Sequence, residues 1–235
     1  MKISKRIEQA LKLLIYSGEE QKSEKWQAVN SPDSMHEICN LFFEMDMPHS
    51  IKELEEETDP DLPWAEDHFL ERVNGLPLNP GKEYLNWPYY RKDLDDNRFR
   101  KNKKFSHSYM ERYWPPPIKG IRYPMGDLND IVEKLSGDPT TRQAYLSVWH
   151  PEDQSPGDRR LPCSLGYWFN IRGNEVSCTY HIRSCDVVRH FKNDIYMTVR
   201  LVQWICNKLK YNPGTLYMWI GSLHIFKSEL WKIKK

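Results

Sequence analysis

Two runs of alternating side chains, residues 165–171 and 176–182, flank Arg172-Gly173-Asn174-Glu175 and constrain the fold of this chain more than any other feature. Period-two alternation marks strands, and a Gly-containing polar tetrapeptide between two such runs turns the chain back as a hairpin. Val176, Cys178, Tyr180 and Ile182 then share one face. Downstream, Ile195, Val199, Val202 and Leu209 recur at helical spacing, Pro213-Gly214 is expected to end that helix, and Leu216–Ile220 reads as a short apolar strand. Upstream, Leu128–Leu135 reads as a short helix ending near Gly137, with a turn at Asp138-Pro139. Ala144, Leu146 and Val148 alternate with Tyr145, Ser147 and Trp149 as a further strand. Strands and helices interleaved around a hairpin predict an α/β fold of layered α+β type, a mixed sheet packed by helices.

The first half is less regular. Ile3, Ile7, Leu11 and Leu14 predict an amphipathic helix over residues 3–17. Residues 18–63 read as acidic and irregular, with Glu53–Glu57 a solvated face or loop, and they remain unassigned. Pro63-Trp64-Ala65-Glu66 opens a second helix that carries Phe69 and Val73 inward. From Asn74 to Pro124 the chain is rich in Pro, Asn, Lys and Arg, and Pro115-Pro116-Pro117 excludes a helix there. Long irregular stretches of this kind are often functional.

Composition narrows the function classes. With 235 residues, 39% of them hydrophobic, the chain can bury a core as one domain or at most two; a single domain over 1–235 is the expectation. Nine Trp and thirteen Tyr argue against disorder. A net charge of +1 gives no electrostatic case for a nucleic-acid polymer as the main ligand. No apolar run approaches the roughly 20 residues of a membrane span, and the charged alternation from Lys2 to Leu14 reads as a mature helix rather than a signal peptide. Five cysteines without a CxxC pair favour reduced thiols in a cytosolic compartment, and no Cys/His cluster has structural-zinc spacing, so no metal is expected.

Several residues carry candidate chemistry. Cys163 follows the Pro-rich charged loop His150–Pro162 and precedes a strand. A thiolate there can add to an electron-poor ring carbon if nearby cations, such as Arg159 and Arg160, lower its pKa; the same residue also fits a small buried hydrophobe. Arg183 offers a planar, permanently charged fork suited to phosphate, or a surface charge. Asp194 fits a helix N-cap before Ile195 as well as a ligand-reading carboxylate. Glu66 fits an exposed helical residue as well as an acid/base group. His224 beside an apolar strand also fits a satisfied core residue.

Taken in order, Pro162-Cys163, Arg183-Ser184-Cys185-Asp186, Asn193-Asp194 and Gly221-Ser222-Leu223-His224 resemble the thymidylate synthase family, nearest its deoxycytidylate (dCMP) hydroxymethylase branch, over residues 64–230. The resemblance implies the thymidylate synthase fold, with 18–63 as a family-specific insertion. It makes Cys163 the nucleophile, Arg183 and Ser184 the phosphate site, and His224 the partner of the 3′-hydroxyl. Arg142, in Asp138-Pro139-Thr140-Thr141-Arg142-Gln143, would reach the phosphate of a neighbouring subunit in a homodimer, with Gln143 where a second arginine is usual. Glu66, in Glu66-Asp67-His68-Phe69, would be the family's acid/base glutamate, and Tyr109 would order the same proton network. Trp87 and Asp186 would line the folate pocket. Asp194 stands where synthases carry the Asn that reads uracil. A carboxyl group can accept from the 4-amino group of cytosine and, when protonated, donate to N3. Phe226 replaces a tyrosine usual beside the sugar, Ser164 replaces a usual His, and Trp231-Lys232-Ile233-Lys234-Lys235 lacks the apolar tail that closes over folate in synthases.

The function so implied is C5 hydroxymethylation of dCMP with 5,10-methylenetetrahydrofolate, in the cytoplasm, a phage-infected bacterium being one setting that fits. The alternatives are a C5 methyltransferase on the same scaffold, making 5-methyl-dCMP or dTMP, and a catalytically silent nucleotide- or RNA-binding relative.

Overall fold

The computed structural model describes residues 3–22, 25, 26, 29, 30, 33–92, 100–115, 127–157 and 159–232; Pro116, Pro117, Pro124 and Ile233-Lys234-Lys235 lie outside them. Helix α1 covers Ile3–Ser17, as its spacing predicts, and short strand β1 covers Glu19–Lys22. Most of residues 34–58 are regular rather than irregular. Ser34–Asp46 is a long strand, β2, and Ile51–Thr58 is a helix, α2, capped by the Ser50 side chain and burying Leu54. Alternation on β2 buries Phe43 and Met45 while Glu44 and Asp46 face outward, so charged residues on the open face account for the acidic composition. Helix α3 follows at Trp64–Arg72.

Within the long irregular stretch, a five-residue helix, α4, spans Tyr109–Tyr113 behind a reciprocal cap in which Ser108 and Glu111 satisfy each other's backbone N–H groups. Helix α5 is Leu128–Gly137, strand β3 Tyr145–Ser147, and the hairpin strands β4 and β5 are Ser164–Arg172 and Glu175–Ile182. A two-residue strand, β6, holds Cys185–Asp186, helix α6 spans Phe191–Leu209, and β7 spans Asn212–Phe226. Helix α6 ends earlier than Pro213-Gly214 would place it: Lys210 adopts φ 64° and caps the helix, and Pro213-Gly214 already belongs to β7. Proline is tolerated at such a strand start. The expected strand at Leu216–Ile220 is the middle of this longer one.

Among the described residues these strands form a seven-stranded mixed sheet in the order β1-β2-β7-β5-β4-β3, with β6 beside β7. β7 runs parallel to β5, its predecessor across α6, and antiparallel to β2. One face carries Leu146, Tyr167, Phe169, Cys178, Tyr180, Leu216 and Met218, all essentially buried against the helices, with Ile195, Val199 and Val202 of α6 at the centre. The other face is open and aromatic, with Phe42 56% and Tyr145 42% exposed and Trp168, Tyr217 and Trp219 half-buried.

The short helix α4 is tied down by a two-pronged ion pair, Arg112 Nη1 and Nη2 to the Asp153 carboxylate at 2.9 and 2.8 Å, with both side chains under a tenth exposed. Removing one partner leaves a buried charge without compensation. Asp153→Ala is therefore expected to destabilise the chain by about 3–5 kcal/mol in urea unfolding, whereas Glu56→Ala, which breaks an exposed pair with Lys52, should barely move the midpoint.

Candidate active site

The hairpin register places the chemistry. Ser164 pairs with Ile182 at the open end of the β4–β5 ladder, and the Arg183 N–H donates to the Cys163 carbonyl at 2.9 Å one step further. The predicted nucleophile and the predicted phosphate ligand are thus cross-strand neighbours. Between Ser164 and Gly166 the ladder carries a bulge, a device that re-aims side chains next to sites. Arg183 Nε and Nη2 donate to the Pro162 and Leu161 carbonyls at 3.0 and 3.2 Å, which fixes the plane of its fork. On the other side, Gly221 of β7 makes room: a Cβ there would lie 2.8 Å from the Arg183 carbonyl oxygen.

These residues open onto a cavity of about 610 Å³ that gathers Cys163, Arg183, Ser184, Asp186, Asp194, His224 and Tyr109. Tyr109 accepts from the Ser164 N–H and hydroxyl at 3.4 and 3.3 Å, and the Ser164 hydroxyl also bonds that of Tyr180 at 2.6 Å. Asp194 lies in the first turn of α6; it does not cap that helix, whose N-cap is His190. Asn193 turns away from the cavity and binds Asp61 through both its amide atoms. His224 pairs in register with Asp186 of β6 and with Glu37 of β2, and its Nε2 is buried without a partner. Asp186 spends Oδ1 on the N–H groups of Val188 and Arg189.

Burial dominates the protonation states. It pushes the Asp194 carboxyl up to about 7, against the Arg72 charge and a 3.6 Å contact from the Cys185 thiol. Burial also raises the Cys163 thiol, which Arg183 and Arg160 only partly offset, so net lowering by cations is not what the folded chain provides. Burial takes Tyr109 to about 12. The His224 imidazole is lowered, chiefly by burial, with Asp186 opposing.

Other expected site residues are held elsewhere. Glu66 does not face the cavity: its carboxylate takes Arg200 Nε and Nη2 at 2.9 and 2.7 Å and the Tyr196 hydroxyl at 2.8 Å, clamping α3 to α6. Helix geometry explains this, because Trp64, His68 and Arg72 line the cavity at steps of four while Glu66, about 200° round from Trp64, points the other way. Arg142 is exposed beside Gln143 and Arg172, in a separate surface cleft. Trp87 stacks on His190 with centroids 5.6 Å apart and borders an adjoining aromatic cavity of about 160 Å³ together with Trp64, Tyr84, Tyr90 and Phe105. Phe226 is buried under the Arg189 guanidinium, 4.9 Å from its ring centre.

The sequence reading missed several lining residues. His68, His107 and His190 come from three separate segments, Arg72 lies 4.0 Å over the Tyr109 ring, and Glu37 accepts from the Ser222 hydroxyl. The i, i+4, i+8 recurrence of Trp64, His68 and Arg72 was the signal available for α3; Glu37 had none, because β2 itself was unread. Among the described residues no group of His, Cys, Asp and Glu side chains is placed to hold a metal, and no helix is long and apolar enough to cross a membrane.

The chain is 25% identical over 162 residues to a protein of Methanococcoides burtonii named "Putative thymidylate synthase", covering 69% of this chain and 71% of that one. It is 23% identical over 150 residues to the thymidylate synthase of Rhizorhabdus wittichii, and 24% over 108 residues to that of Listeria monocytogenes. The aligned parts make up 63% and 46% of this chain but only 42% and 34% of those relatives. The thymidylate synthase family model matches residues 84–235, which takes in Trp87, Tyr109, Cys163, Arg183, Asp194 and His224 and begins after Glu66. The chain belongs to the thymidylate synthase family.

Proposed function

We propose that this one-carbon transferase hydroxymethylates C5 of a pyrimidine nucleoside monophosphate, with dCMP favoured and 5,10-methylenetetrahydrofolate as the one-carbon donor. The observation that carries the choice of base is Asp194, a carboxyl group titrating near pH 7 in the cavity that holds Cys163. At neutral pH it is shared between a protonated form that donates to N3 of cytosine and an ionised form that accepts from the 4-amino group. In this reading Cys163 adds to C6 and makes C5 nucleophilic, Arg183 and Ser184 hold the phosphate, and the unpartnered His224 Nε2 takes a sugar hydroxyl. Tyr109 keeps the Ser164 end of the strand in place. The family's catalytic glutamate has no counterpart in Glu66, which Arg200 and Tyr196 occupy.

For the folate, the adjoining aromatic cavity offers flat walls and a buried Trp87 Nε1 without a partner, which suits a heteroaromatic ring. Trp87, Trp64 and His190 would hold it, with Asp186, whose buried Oδ2 makes no hydrogen bond and lies 3.6 Å from Arg189 Nε, on the side of the larger cavity. When bound it supplies a carbon at the oxidation level of formaldehyde. The names of the relatives favour a second reading, C5 methylation on the same scaffold. Mass spectrometry of products from dCMP, dUMP and CMP with methylenetetrahydrofolate separates the two: a gain of CH2O on dCMP is expected, and a gain of CH2 would establish methylation instead.

Asp194 also links function to stability. Its carboxyl titrates near 7 when folded and near 3.9 when unfolded, so between those values the folded chain holds the extra proton and stability falls as pH rises from about 4 to about 7. Asp194→Asn removes that buried charge. The variant is expected to unfold at a higher temperature than the parent at pH 8, to lose this pH dependence, and to shift preference from dCMP toward dUMP in paired kcat/KM measurements.

A homodimer forms part of the proposal. Its support is the open aromatic face of the sheet, to which Trp168 ties the Arg142 backbone through a 3.1 Å hydrogen bond from Nε1. If Arg142 serves the neighbouring subunit's phosphate, mixing inactive Arg142→Ala and Cys163→Ser preparations after unfolding and refolding together should restore activity that neither has alone.

A further inference from the structure

Proton transfer at the substrate ring needs a basic group on the cavity wall, and Glu66 is not there. His68 is. It projects from the same helix as Trp64 and Arg72, stacks on Trp64 with centroids 5.4 Å apart and meets the Tyr109 ring edge-on at 5.9 Å. Its Nδ1 lies 2.8 Å from Glu83 Oε1, both side chains being about nine-tenths buried or more. A carboxylate there fixes the tautomer with hydrogen on Nδ1 and leaves Nε2 as the basic nitrogen. Glu83 is reached from a 3-10 turn, Glu83–Asn86, folded against α3, so the pair is built from two elements rather than from one loop.

We propose that His68, oriented by Glu83, is the residue that exchanges the proton at C5 of the pyrimidine. The proposal rests on covalent addition of Cys163 to C6. His68 Nε2 takes the proton of the Cys163 thiol. As the sulfur–C6 bond forms, the electron pair of C5=C6 moves to C5, which takes a proton from the resulting imidazolium, whose N–H exchanges with solvent. In reverse, His68 Nε2 removes a C5 proton, the pair restores C5=C6, the sulfur–C6 bond breaks and the leaving thiolate takes a proton back from the imidazolium. Nothing is oxidised or reduced, and no second substrate is required for this exchange.

The other cavity groups suit the task less well. Tyr109 is engaged with Ser164 and raised to about 12. His107 faces the Arg160 carbonyl at 3.2 Å, and burial followed by the Arg160 charge pushes it to about 3. His190 lies under Trp87 and is pushed to about 3 in the same way. Burial and then Arg72 lower His68 also, but Glu83 opposes them both by charge and by hydrogen bond.

The test is deuterium incorporation at C5 of dCMP in D2O, followed by mass spectrometry without folate. The unmodified protein should exchange C5 and Cys163→Ser should not. His68→Gln keeps an N–H donor for Glu83 but has no basic nitrogen, and it should exchange about a hundredfold more slowly or worse, the usual scale for loss of an acid/base group. Its equilibrium affinity for dCMP should stay within about threefold, and added imidazole should partly restore exchange in His68→Ala, a rescue that a purely structural role would not produce. Exchange by His68→Gln at the parental rate would overturn the assignment while leaving the Cys163 reading intact. No exchange by the unmodified protein would overturn both.

Discussion

One backbone hydrogen bond, from the Arg183 N–H to the Cys163 carbonyl, sets the terms for the rest of the site. It extends a β ladder by one rung beyond its last regular pair and brings a thiol and a guanidinium onto one edge. Register along a sheet has a period of two, so a slip of one residue would turn the pair to the opposite face. The buried side chains of the hairpin prevent that slip: Tyr167 and Tyr180 stack at 4.6 Å inside the core, and Val176 and Ile182 are sealed with them. The chemistry at the open end thus inherits its precision from apolar packing along the length of the hairpin.

Beyond that rung the ladder is interrupted, not abandoned. Arg183 and Ser184 leave the sheet after the pair Ile182–Ile220, and pairing with β7 resumes in the same register at Cys185–Leu223. Gly221 sits opposite the gap, and the β2 ladder also skips this position at Asn40, which adopts φ 58°. Three strands therefore relax together where two polar residues need to turn into the cavity. Glycine is required there by the close approach of the Arg183 carbonyl rather than by its own backbone angles.

How far this was legible in the sequence depended on what each residue faces. The hairpin, α5, α6 and the central part of β7 are amphipathic, and their periodicity showed directly. β2 was hidden because its outward positions carry Glu44 and Asp46 and its kink at Asn40 breaks the alternation. The cap of α4 was spelled out as Ser108-x-x-Glu111 and went unread amid the surrounding prolines and lysines. Among site residues, Cys163, Arg183, Ser184, Asp186, Asp194, His224 and Tyr109 meet in one cavity. Glu66 failed because on a helix a shift of two positions reverses the direction of a side chain, and Arg200 offered it a better partner. The pKa of Asp194 had no sequence signal, since it depends on burial created by α3 and β6.

Glu37 carries a consequence of its own. It reaches the cavity from β2, while Arg183 reaches it from the end of β5, and β7 lies between those strands. Two strand spacings separate them, about 10 Å, so the sheet holds a carboxylate and a guanidinium apart like marks on a ruler. A molecule negative at one end and hydroxylated at the other is stabilised in one orientation along that ruler and opposed in the reverse. The cavity therefore has a head and a tail before anything enters it.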